Sequence, residues 1–156
     1  MWTRFFMTAL ALAALVGLGV GSDASAAPPP AEVGAEVLII HATQGETPSI
    51  HGRLKSMEKT FRRFPMFNRF DLLAKHDTSL QLKKPHAFQM PNGKELRLIY
   101  RGLDKTGTFV KLRFEFADMH MNIRVTNGGL FFHAGSNHQG GRLLIAIRPS
   151  LTSGTP

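Results

Sequence analysis

The chain has 156 residues, no cysteine, and 19 Lys and Arg against 11 Asp and Glu, a net charge of +8. Without cysteine there is no disulfide, thiol nucleophile, thiolate zinc site, iron–sulfur cluster or lipidated cysteine. A basic excess attracts phosphate, lipid headgroups, acidic polysaccharide or an acidic protein surface.

Arg4 precedes an apolar run from Phe5 to Val20, and Ala24-Ser25-Ala26 offers small residues to a signal peptidase. The run is shorter than the roughly 20 residues that a membrane-spanning helix needs. Residues 1–26 are therefore predicted to be a secretory signal cleaved after Ala26, and 27–35, with Pro28-Pro29-Pro30, a disordered leader. Arg4 and Asp23 cancel, so cleavage leaves +8. The remaining chain, about 130 residues, is one domain that buries roughly two thirds of its unfolded surface. Export places it in the periplasm or outside the cell, where nucleic acid is not an expected partner.

Residues 36–42, EVLIIHA, read as a strand, and the unbroken run Val37 to Ile40 predicts burial on both faces. Ile50, Leu54, Met57, Phe61 and Phe64 follow at spacings of four and three. That period predicts an amphipathic helix over 50–64, capped by Ser49, weakened by Gly52 and ended by Pro65. Beyond Pro65 the period is two. Strands are predicted at 69–75, 79–84, 86–90, 94–101, 108–116, 120–126, 130–134 and 142–148, with Pro91-Asn92-Gly93, Asn127-Gly128-Gly129 and GSNHQGG (135–141) as turns. Pro149 is expected to end the last strand, and 150–156 to be a disordered tail. One polar face per strand predicts an antiparallel sheet. The doubly apolar strands 37–40 and 143–147 belong side by side at its centre, with Ile145 next to Ile39 and near the helix face of Leu54 and Phe61. The expected class is α+β: an antiparallel sheet or sandwich of about seven to eight strands over 36–149, with one N-terminal amphipathic helix packed on it.

Seven histidines raise the question of a metal site. His133 and His138 are five apart across a turn, and His41 ends the first buried strand. If the two buried strands are neighbours, these three approach one another and could hold Zn or Cu. No spaced metal signature supports them, and a third ligand is missing from the local sequence. In Asp118-Met119-His120-Met121 a strand turns the two methionines to one face and His120 to the other, which suits core packing better than copper. No G-x-S-x-G elbow occurs, and Asp71, Asp77, Asp104 and Asp118 are scattered, so a hydrolase is the weakest reading. No catalytic residue and no cofactor is expected.

The stretches VLIIHA (37–42), IHGRLKSMEKTF (50–61), MPNGKELRL (90–98) and GGLFFHAGSNHQGGRLLIAI (128–147) resemble those of small exported bacterial β-rich proteins of unknown function. The resemblance spans most of 36–148. It implies a non-enzymatic envelope module and assigns no catalytic residue. The histidine of FFHAG is not part of that pattern.

The basic residues suggest a function. Pairing 94–101 with 108–116 so that Leu98 meets Val110 sets Glu95 opposite Arg113, Arg97 opposite Lys111 and Ile99 opposite Phe109. The neighbouring register sets Glu95 against Glu115, a like-charge pair. In the first register Arg97, Arg101, Lys111 and Arg113, with Arg124 on the next strand, form an outward basic face around an apolar spot of Ile99 and Phe109. Such a face fits an acidic envelope component or protein partner, or peripheral contact with an anionic membrane surface. The alternative is a periplasmic protein binding Zn or Cu through His41, His133 and His138.

Overall fold

The computed structural model describes residues 27–151. The expected signal, 1–26, and all but the first two residues of the expected tail lie outside the described residues. The described residues form nine strands: β1 (Glu32–Thr43), β2 (Ser49–Ile50), β3 (Arg69–Gln81), β4 (Pro85–Gln89), β5 (Glu95–Leu103), β6 (Phe109–Phe116), β7 (Met119–Thr126), β8 (Phe131–His138) and β9 (Gly141–Ser150). They make a five-stranded sheet in the order β2-β3-β1-β9-β8 and a four-stranded sheet in the order β4-β5-β6-β7. All neighbours are antiparallel except the short β2–β3 pair.

The predicted central pair is present. β1 and β9 are neighbours, and Ile39 is registered with Ile145. Their unbroken apolar runs serve two cores. Val37, Ile39, Leu143, Ile145 and Ile147 face the four-stranded sheet, whereas Leu38, Ile40, Leu144 and Ala146 face a smaller cluster on the other side. Ile145 is thus fully buried, but against the opposing sheet and not against Leu54 and Phe61 as expected; Leu144 and Ala146 hold that place.

The helix expected over 50–64 is replaced by a 3₁₀ turn, Gly52–Met57, and a four-residue helix α1 (Glu58–Phe61). This short element follows β1 and β2 and is not an N-terminal amphipathic helix. Gly52 disfavours the α-helix, His51 Nδ1 accepts from the Arg53 N–H, and the Leu54 N–H bonds the His51 carbonyl in the tighter pattern. Residues three apart stack in a 3₁₀ turn, so Leu54 and Met57 still share a face. The predicted apolar stripe holds despite the changed element: Leu54, Met57 and Phe61 are buried, with Ile50 and Phe64 packed beside them.

Several boundaries also move. β1 begins at Glu32, inside the expected leader, and Val33 and Ala35 are buried in the main core. Residues 69–75 and 79–84 were expected as two strands, but β3 runs through to Gln81 because its inward positions His76 and Thr78 continue the alternation with polar side chains. β9 passes through Pro149 to Ser150. β8 starts opposite Ile147, so no neighbour on that side needs the N–H that Pro149 lacks, and the Pro149 carbonyl accepts from Gly128 N.

GSNHQGG is mostly strand. Gly135 to His138 belong to β8, which is irregular between Ala134 and Asn137. The turn is Gln139-Gly140 alone, with φ of 42° and 75°, the paired left-handed conformation that suits a two-residue hairpin.

Candidate functional site: the outer face of the four-stranded sheet

Alternation along β5, β6 and β7 buries Leu96, Leu98, Tyr100, Val110, Leu112, Phe114, Phe116, Ile123 and Val125. The residues between them therefore point away from the core. The register fixes what meets what. Arg97 lies opposite Glu115, Ile99 opposite Arg113, and Leu98 opposite Phe114. This is four positions from the expected register, and it replaces the Arg97–Lys111 repulsion with an opposite-charge pair.

The turn between β5 and β6 closes this register. The Asp104 N–H bonds the Phe109 carbonyl at 2.9 Å, and Asp104 Oδ1 accepts from Phe109 N at 2.9 Å. Thr106 Oγ1 donates to Asp104 Oδ2 at 2.6 Å. These bonds, that from Phe109 first, hold the Asp104 carboxyl below its ordinary pKa. The strand bulges between Tyr100 and Leu103, where Gly102 takes φ of 94°.

The outward residues fall into rows across the sheet. Ala87, Arg97, Glu115 and His120 form one row, and Pro85, Ile99, Arg113 and Asn122 the next. Both contain neutralised charge. Arg97 pairs with Glu95, and Arg113 Nε lies 2.6 Å from Glu115 Oε1. His120 Nδ1 is 3.7 Å from the same Glu115 oxygen. In the third row Lys111 is directly opposite Arg124, and Arg101 lies beside them at the β5 bulge. These three line an open groove of ≈ 390 Å³ with Asn122, Leu112 and Ile123. Among the described residues no acid lies within ion-pair distance of Arg101, Lys111 or Arg124. Asp104, in the adjoining turn, is engaged by its own turn.

Of the seven residues expected on a basic face, Arg101, Lys111 and Arg124 are brought together, whereas Arg97 and Arg113 are occupied by glutamates. Ile99 and Phe109 do not form the expected apolar pair, since the β5–β6 register sets Ile99 opposite Arg113. Asn122 belongs to the site and was missed; its place two residues before Arg124 on an alternating strand was the available signal.

The histidines do not assemble as the metal alternative requires. His41 and His138 do meet, with ring centroids 5.4 Å apart. However, His41 Nε2 lies 2.9 Å from the His138 carbonyl. A carbonyl only accepts, so this nitrogen carries a proton and offers no lone pair. His133 turns toward Phe114, with ring centroids 5.1 Å apart, and burial lowers its pKa. Among the described residues no three His, Asp or Glu side chains are placed to hold a metal ion. The chain matches no family model, no curated protein and no solved structure.

Proposed function

We propose that this protein is an exported, non-enzymatic binding module of the cell envelope whose Arg101–Lys111–Arg124 cluster docks an acidic partner. The observation behind this reading is the direct cross-strand placement of Lys111 and Arg124, with Arg101 beside them and no acid in reach among the described residues. Like charges directly opposite in a sheet are destabilising. Elsewhere on the same face Glu95 and Glu115 each neutralise an arginine, so the uncompensated cluster stands apart from its surroundings. An acidic ligand supplies the missing charge and removes the repulsion on binding. The signal-like residues 1–26 fit work outside the cytoplasm.

Binding of the purified chain to sodium polyglutamate and to phosphatidylglycerol vesicles, measured over rising salt, tests this. Wild type should bind at least one of these acidic probes and release it as salt rises. Lys111→Glu together with Arg124→Glu should abolish the binding, while Arg97→Glu should weaken it far less. An absence of salt-sensitive binding to both probes would overturn the proposal.

A further inference from the structure

A sheet edge exposes main-chain groups that another strand can pair with, and proteins usually blunt such edges. Three edges here are blunted. β2 has two residues. β4 is short and begins with Pro85. β8 is irregular between Ala134 and Asn137. The part of β3 that extends past β2 leaves Leu73 unpaired in its register with β1 and reaches β4 through Thr78 and His86. β7 differs. Its eight residues pair with β6 without a shift from Phe109–Thr126 to Phe116–Met119, and they include no Pro, Gly or Lys.

The direction of the free groups follows from the β5–β6 turn. Phe109 N bonds Asp104 Oδ1 and Phe109 O accepts from Asp104 N, so both groups point toward β5. Alternation in an antiparallel ladder then turns the groups of Val110, Leu112 and Phe114 toward β7. Thr126 is left facing away from β6, and its carbonyl accordingly accepts from Gly129 N. By the same alternation the N–H and C=O groups of His120, Asn122 and Arg124 face outward. Among the described residues they have no main-chain partner.

We infer that the free edge of β7 takes an extended acidic peptide as a fifth strand of the four-stranded sheet, beside the cationic cluster. This rests on the proposed reading of that cluster. Strand addition provides main-chain bonds, and alternate side chains set specificity. On the outer face the incoming side chains lie next to Arg124 and, one strand further, Lys111, so acidic residues fit there. On the inner face they meet half-buried Met121 and the edge of Ile123, where apolar residues extend the core. The partner segment therefore alternates acidic and apolar residues. A second copy paired along β7 is disfavoured because it brings two cationic clusters together.

The test uses an eight-residue peptide of alternating Glu and Val, the same peptide N-methylated at every second residue, and phosphatidylglycerol vesicles. Asn122→Pro removes one outward N–H and no ladder bond, as edge strands tolerate; Asn122→Ser is its control. Wild type and Asn122→Ser should bind the plain peptide in a salt-sensitive manner. N-methylation, or Asn122→Pro, should weaken that binding by roughly tenfold or more. Vesicle binding by Asn122→Pro should match that of Asn122→Ser, which also removes the amide side chain from the groove. Equal binding of plain and methylated peptides would overturn strand addition while leaving the acid-binding reading intact. So would vesicle binding without peptide binding, or a wild-type dimer that Asn122→Pro dissolves. Absence of peptide, vesicle and polyglutamate binding in wild type would overturn the reading itself, and polyglutamate binding without peptide binding would overturn strand addition alone. Should Asn122→Pro lose the wild-type circular dichroism spectrum, the methylated peptide decides alone.

Discussion

The two outer faces of this sandwich are treated in opposite ways. On the five-stranded sheet, part of the face is covered: Leu54, Met57 and Phe61 from the 3₁₀ turn and α1 pack on Leu38, Ile40, Leu144 and Ala146. Beside that cover Glu36 bridges Lys75 at 3.2 Å and Arg148 at 3.1 Å, and Asp77 adds a second contact to Lys75, so these cations are paired. Among the described residues no element crosses the outer face of the four-stranded sheet. One end is neutralised by Glu95 and Glu115, and the other keeps three cations together. A sheet needs only one buried face, so the second face is available for other purposes. Here one face completes a second core and the other keeps a repulsive cluster that folding alone does not favour.

The largest expected effects probe the covered side. Phe61→Ala should cost about 3–5 kcal/mol and Ile145→Ala about 2–5 kcal/mol in denaturant unfolding. If Phe61→Ala proves neutral, the 3₁₀ segment is a loosely attached flap and both faces are effectively bare. Smaller effects separate the two ends of the uncovered face. Arg124→Glu places an acid opposite Lys111 and should raise stability by roughly 0.2–1 kcal/mol, while Arg97→Glu, facing Glu115, should lower it by a similar amount. Equal signs for the two would remove the distinction between the neutralised and cationic ends. The smallest effect belongs to neither face. Burial against Phe114 holds His133 below the ordinary imidazole pKa, so the native state binds fewer protons than the unfolded state. Stability is then full above the unfolded value near 6.5, declines as pH falls through it, and levels off below the native value. His133→Leu should flatten that part of the stability–pH curve.

Much of the fold was legible in local pattern. Alternation located β5, β6, β7 and β9 within a few residues, because one face of each is buried and the side-chain period of a strand is two. The doubly apolar runs identified β1 and β9 as central neighbours. β3 was split because its inward His76 and Thr78 are polar, so the apolar signal lapses although the strand continues. Gly135 and Ser136 resembled a turn for the same reason: an irregular strand accepts residues that a regular one disfavours.

The candidate site was half legible. The sequence by itself determined that Arg101, Lys111 and Arg124 point outward, since each lies between buried neighbours on an alternating strand. It also determined the apolar stripe of Leu54, Met57 and Phe61, because spacings of three and four share one face whether the turn is α or 3₁₀. Which cations stand free was decided only by the tertiary structure. Inward alternation is satisfied equally by registers two residues apart, and charge arguments compare only the registers considered. The side-chain bonds of Asp104, the Gly102 bulge and the closing of the β5–β6 turn select one register. That selection gives Arg97 and Arg113 to glutamates and leaves Lys111 facing Arg124.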